Sequence, residues 1–188
     1  DNPDHQLYRS LTQKWFAPPN LESLKKDIRN IAKEYVNKMV DHGNECDFAK
    51  DVAIFYPLRV IMSILGVPKE DEPRMLRLTQ ELFGGRDEDM IRDESETSSE
   101  SNTITDFFEY FTALTEDRRK NPTNDVSSVI ANAQINNEQL GHLEAMSYYV
   151  IIATAGHDTT SSSTAGGILA LIENPDQLSK LKNNPSLM

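Results

Sequence analysis

Between Leu140 and Glu173 the chain reads LGHLEAMSYYVIIATAGHDTTSSSTAGGILALIE, a stretch without proline that stops at Asn174-Pro175. Tyr148 to Ala155 is almost wholly apolar, and Ile168 to Ile172 is apolar again. Leu143, Met146, Val150 and Ala153 follow helical spacing, as do Ile168, Leu171 and Ile172. A helix this long with apolar shoulders is expected to cross the core of a sizeable domain. Its middle, His157 to Thr164, is an unbroken polar run, which is costly inside a core unless something polar faces it. Serine and threonine hydroxyls compete for backbone bonds, and Gly156, Gly166 and Gly167 weaken the helix further. Ala155-Gly156, just ahead of an acid and two threonines, permits close approach of another molecule and a local bend. The same spacing allows two shorter helices joined at Gly156, with Asp158 or Thr159 as N-cap of the second.

A length of 188 residues suits one large domain or part of a larger one. The net charge of -11 argues against nucleic acid or an anionic membrane surface as partner. No signal peptide is visible and no apolar run is long enough to span a bilayer. The single cysteine, Cys46, excludes a disulfide framework and fits a reducing compartment, so a cytoplasmic location is expected. His5, His42, His142 and His157 lie far apart without metal-ligand spacing, so no metal site is expected among them. His42 and His142 read as solvated helix-end residues, and Cys46, with no base nearby, as a small buried core residue.

Most of the remaining chain also reads as helix. His5 to Phe16 is one, ended by Pro18-Pro19, and His5 and Arg9 share a face four residues apart. Leu21 to Val40 carries Leu21, Leu24, Ile28, Ile31, Ala32, Tyr35 and Met39 on one stripe. Cys46 to Phe48 suits a short extended piece. Phe55 to Leu65 is strongly apolar and is closed by Gly66. Glu72 to Phe83 and Thr103 to Arg119 follow, the latter burying Ile104, Phe107, Phe108, Phe111 and Leu114. Asp125 caps a short helix through Ala133, Asn136-Asn137 turns the chain, and Glu138 starts the central helix. A last helix spans Asp176 to Lys182. By contrast, residues 84–102 are acidic, serine-rich and nearly devoid of apolar side chains, which predicts a flexible acidic loop. The fold class expected is mainly α, with little or no β.

Several of these segments carry a family resemblance, in order along nearly the whole chain. Ala155-Gly156-His157-Asp158-Thr159-Thr160 resembles the A-G-x-D/E-T-T/S signature of the central helix of cytochrome P-450 monooxygenases. DNPDHQLYRSLTQKWFAP is similar to the D-P-P-E/D-H-x-x-x-R…F-x-P segment that opens the third helix of bacterial members. YPLRVIMSILGVP resembles P-x-x-V-I/M-x-x-L-G-V/I-P, and ENPDQLSKLKNNPSLM the stretch that follows the central helix. The wording is nearest to the bacterial enzyme that hydroxylates α-terpineol.

The resemblance implies a haem-dependent monooxygenase that hydroxylates a small apolar, terpenoid-like substrate, using O2 and two electrons from a ferredoxin- or flavodoxin-type donor. It implies the central part of that fold, from the third helix through the helix after the central one. The N-terminal sheet region and the C-terminal region with the cysteine ligand of haem b lie outside the given residues, so the fragment alone is expected to be inactive. By the same carry-over His5 and Arg9 contact haem propionates, and Ala155, Gly156 and Thr159 lie beside the cofactor. Asp158 and Thr159 form an acid–alcohol pair that delivers protons to bound dioxygen, and His157 faces away. Phe83, Ile151, Thr154 and Ala155 are the expected substrate contacts. A bidentate guanidinium suits a propionate, and an acid beside an alcohol suits a proton relay. Two other classes compete with this reading. A non-catalytic acidic helical interaction module explains the charge and the helices but not the ordered matches. A hydrolase dyad of His157 and Asp158 conflicts with adjacent helical positions pointing apart.

Overall fold

Backbone chemistry sets most of the helix boundaries. The computed structural model describes residues 4–43, 45–83 and 100–187. Helix α1 is His5–Gln13 and α2 is Pro18–Asp41. The two prolines do not end α1 but open α2, at its first two positions, where a missing N–H costs nothing. Residues 14–17 make the turn between them. After α2 the expected extended piece is cut short: Phe48 is already helical and runs into a π-helix, Ala49–Ala53. Cys46 is half-buried rather than a core residue. Helix α3, Phe55–Leu65, ends on Gly66 with φ +67°, the left-handed cap expected there. Helices α4, Glu72–Phe83, and α5, Glu100–Lys120, follow. Residues 84–99 of the expected acidic loop lie outside the described residues, while its last three positions already belong to α5.

Helix α6, Val126–Ala131, starts at Asp125, whose Oδ1 accepts the Ser128 N–H at 2.6 Å. The central helix does not begin at Glu138. Asn136 and Asn137 take φ +53° and +68°, which closes a two-residue hairpin between β1, Gln134–Ile135, and β2, Glu138–Gln139. Helix α7 is His142–Ala155, α8 is Asp158–Glu173 and α9 is Pro175–Asn183. The single rod is thus two helices, the second of the two arrangements the spacing allowed.

The core gathers α3 to α7. Leu58, Met62 and Leu65 of α3 meet Met75 and Leu78 of α4, Phe107 and Phe111 of α5, Ile130 of α6, and Met146, Tyr149 and Ala153 of α7. Tyr149 stacks on Phe111 with ring centroids 4.5 Å apart, and its buried hydroxyl accepts from Thr115 at 3.0 Å. A satellite cluster of Ile31, Tyr35 and Val52 joins α2 to the π-helix. The apolar stripes are only partly buried: Leu21, Ile104 and Leu143 are exposed. On α8 the correction is larger, for Ser161 is its sole buried residue among those described, and Ile168, Leu169 and Ile172 face outward.

One polar joint locks three helices together. Arg118 of α5 donates through Nε to Asp125 Oδ2 at 2.7 Å and through Nη2 to the Gly66 carbonyl at 3.0 Å. Thr123 Oγ1 donates to the same carboxylate oxygen at 2.6 Å, and Ser127 Oγ reaches the Leu65 carbonyl at 2.5 Å. A Cβ on Gly66 would overlap Asp125 Oδ2 as well as straining the backbone. Gly66→Ala should therefore lower unfolding free energy by roughly 2 kcal/mol or more. Asp125→Ala, which removes the α6 cap and one acceptor of the half-buried Arg118, should cost about 1–3 kcal/mol in urea titrations. Burial pushes the Asp125 carboxyl up, but hydrogen bonds from Thr123, Arg118 and Ser128 outweigh it and hold it below its ordinary 3.8. Its contribution is present above that ordinary value and lost as pH falls through the lower folded one. Asp125→Asn should flatten this acid limb of the stability profile.

Candidate functional site

The break between α7 and α8 is imposed by what its far side touches. Gly156 lies against α3, where a Cβ would come within 2.5 Å of Ile61 Cδ1. His157 is 2% exposed and donates from Nε2 to the Ile54 carbonyl at 3.0 Å. Its backbone N–H bonds Thr154 O at 3.2 Å, a tightened turn, and its carbonyl restarts the ladder by accepting from Ser161 at 2.8 Å. Pinning those two residues inward turns their neighbours outward. Ala155, Asp158 and Thr159 are all exposed, and Thr159 Oγ1 donates to the Ala155 carbonyl at 3.1 Å. That side-chain bond takes a place a backbone N–H holds in an unbroken helix, and it points the Thr159 hydroxyl along the Ala155 face.

Asp158 opens α8, where the helix dipole favours its carboxylate. His157 Nδ1 stands 3.7 Å from Asp158 Oδ1, outside hydrogen-bond range, and Nε2 is already committed. The two do not make a dyad. His42 and His142 are exposed at helix ends, as their positions suggested.

One turn before Ala155 a groove of about 670 Å³ opens between α1 and α7. His5 and Arg9 stand on its α1 wall, Ser147, Tyr148 and Ile151 on its α7 wall, all but Tyr148 exposed. No acidic side chain among the described residues pairs with His5 or Arg9. The structure thus brings His5, Arg9 and Ile151 together and sets Ala155 one helical turn further along the same face. Thr154 is half-buried with its hydroxyl on the Val150 carbonyl at 2.6 Å. The side chain of Phe83 lies outside what the structure describes.

Three groove residues, Tyr8, Glu144 and Tyr148, escaped sequence reasoning. The Tyr8 hydroxyl donates to Glu144 Oε1, whose partner Oε2 accepts the Gly141 N–H at 2.8 Å. These bonds hold the Glu144 carboxyl below the usual carboxylate range and the Tyr8 phenol above its own. The Tyr148 hydroxyl donates to the Tyr8 carbonyl. With 136 positions between Tyr8 and Glu144, no local pattern carries a signal for the pair.

The family model described as Cytochrome P450 matches residues 1–185. The chain belongs to the cytochrome P450 family. It is 44% identical over 195 residues to cytochrome P450-terp of a Pseudomonas species, covering 100% of this chain and 46% of that one. It is 31% identical over 188 residues to cytochrome P450 CYP107DY1 of Priestia megaterium, covering 100% and 44%. Among solved structures, CYP108D1 from Novosphingobium aromaticivorans superposes with a TM-score of 0.86 at 45% identity, over 100% of this chain and 43% of that one. The P450 chain therefore spans less than half the length of the relatives it matches.

Haem is the cofactor of this family, its iron held by a cysteine thiolate. Cys46 is not among the residues lining the groove. The groove offers the other end of such a group His5 and Arg9 on one wall as donors for carboxylates and Ile151 with Tyr148 opposite for a flat apolar ring; its own two carboxylates are Asp4, at the start of α1, and Glu144, whose oxygens are taken by Tyr8 and the Gly141 N–H. Gly156→Ala should destabilise the protein by about 1–3 kcal/mol through its collision with Ile61. Ile61→Val, which removes the colliding methyl, should recover most of that loss in thermal melts of the double variant.

Proposed function

We propose that this chain is part of a haem-dependent monooxygenase that hydroxylates a small apolar, terpenoid-like substrate. The observation that carries the proposal is the exposed Ala155 at the α7–α8 break, with the Thr159 hydroxyl on its carbonyl, one helical turn beyond Ile151 of the groove faced by His5 and Arg9. Arg9, with His5, holds the haem carboxylates, the guanidinium offering two parallel N–H donors. Haem, when bound, supplies the dioxygen-activating redox chemistry, with electrons from a ferredoxin- or flavodoxin-type donor.

The chain's own residues supply orientation, dryness and protons. Ala155 is small and exposed, which lets the break sit close to a flat ligand. Thr159 Oγ1 holds a proton on the Ala155 carbonyl, and rotation about its C–O bond redirects that proton into the pocket while a lone pair accepts another. Asp158 Oδ1 and Oδ2 are exposed to solvent beside it and return the proton from water. Gly156 keeps the break packed on α3 and so holds Ala155 in place. Ile151, Thr154 and Ala155 are the substrate contacts on α7, Phe83 is carried over from the family resemblance alone, and the name of cytochrome P450-terp supports a terpenoid class. No helix of the described residues is long and apolar enough to cross a membrane, which agrees with a cytoplasmic enzyme. A purely structural interaction module gives the exposed break no role and is not favoured by the family match.

In the haem-loaded protein, Thr159→Ala should leave haem and substrate binding intact. Product formed per electron pair should fall about tenfold or more, with hydrogen peroxide appearing instead. Asp158→Asn should slow turnover and change the solvent isotope effect. Unchanged coupling in Thr159→Ala would remove the alcohol from the proton path.

A further inference from the structure

Helix α1 carries the two residues assigned to the haem carboxylates, yet none of its nine residues is buried. Packing alone holds it loosely: Tyr8, Leu11 and Trp15 lean, half-buried, on the main core. Its attachment to α7 is through hydrogen bonds. The Tyr8 hydroxyl donates to Glu144 Oε1, and the Tyr148 hydroxyl donates back to the Tyr8 carbonyl. Glu144 is itself immobilised, because its second oxygen accepts the Gly141 N–H at 2.8 Å. Both carboxylate oxygens are thus committed to neutral donors, although Glu144 lines the same groove as Arg9. Glu144 and Tyr148 are four residues apart and share one face of α7, and Ile151 follows one turn on.

A helix has 3.6 residues per turn, so Tyr8 lies roughly 60° round from His5 and roughly 100° from Arg9. Pinning Tyr8 to α7 therefore fixes where the other two point. Without the pin, α1 is held by the half-buried packing of Tyr8 and Leu11 alone, and a modest roll moves a guanidinium out of hydrogen-bond range.

We infer that Tyr8, Glu144 and Tyr148 form a latch between α1 and α7 that aims Arg9 and His5 across the groove at the carboxylates of haem. The latch rests on the haem placement proposed above. Its members are positioning residues, since they act through Arg9 and His5 rather than on the reacting atoms.

The test is a double-variant cycle on the haem-loaded protein: Tyr8→Phe, Arg9→Ala and both together. Haem retention is read as the rate of transfer to excess apomyoglobin, and the haem propionate bending modes by resonance Raman. Tyr8→Phe keeps the ring and its packing, so folding is preserved. It should speed haem loss about tenfold, the size of one hydrogen bond to a charged group. Its Raman propionate modes should shift as they do in Arg9→Ala. In the Arg9→Ala background the added Tyr8→Phe change should have a clearly smaller effect, because only His5 is then left for the latch to aim. Equal acceleration in both backgrounds, or wild-type retention in Tyr8→Phe alongside fast loss in Arg9→Ala, overturns the latch and leaves the haem placement standing. Wild-type retention in Arg9→Ala overturns both.

Discussion

The docking of the α7–α8 break onto α3 organises everything that faces outward. His157 spends its ring N–H on the Ile54 carbonyl, and Gly156 leaves the room into which the end of the Ile61 side chain extends. A buried imidazole left without that carbonyl would carry the full cost of an unmet polar group, of order 1–3 kcal/mol, so the joint is self-consistent only in this register. The backbone breaks at the same place, with the His157 N–H on the Thr154 carbonyl and the ladder resuming at Ser161. The break is what exposes Ala155, Asp158 and Thr159 and turns the Thr159 hydroxyl onto the Ala155 carbonyl. Among the described residues α8 is mostly uncovered and only Ser161 is buried, in a chain that spans less than half the length of its relatives.

The rest of the scaffold serves to hold that joint still. Helix α3 carries the residues that receive it, and α3 is in turn tied at its far end by Gly66, Arg118 and Asp125. Tyr149 performs the corresponding task for α7, stacked on Phe111 and bonded to Thr115. Helices α7 and α8 are therefore fixed at two points, and α1 is joined to α7 by polar contacts beside the half-buried packing of Tyr8 and Leu11. A stiff rod facing a lightly attached helix suits a groove whose occupant contributes binding free energy of its own.

What could be read from the sequence was local. Asp125 as a cap, Gly66 as a left-handed stop, the bounds of α4 and the Phe107-Phe111 face all follow from spacing or backbone sterics, and all are found. Long-range partners have no such signature. Neither His157 on Ile54, 103 positions away, nor Tyr8 on Glu144 leaves a periodic trace. The same limit explains the misreadings. Asn136-Asn137 was legible as a turn, but the hairpin it closes depends on β1 pairing with β2. Pro18-Pro19 marks a boundary without saying which helix owns it. Ile168 and Ile172 have helical spacing whether or not anything covers them. The site's residue types were legible through the A-G-H-D-T-T run, while their common orientation needed the fold.

The crystal structure of the haem-loaded protein tests the central idea most directly. It should show the Arg9 guanidinium about 2.7–2.9 Å from a haem carboxylate, and Thr159 Oγ1 on the Ala155 carbonyl facing the same cavity, with His157 still on Ile54. A groove between α1 and α7 filled by protein, with Arg9 turned to solvent and haem lying away from Ala155, would contradict it.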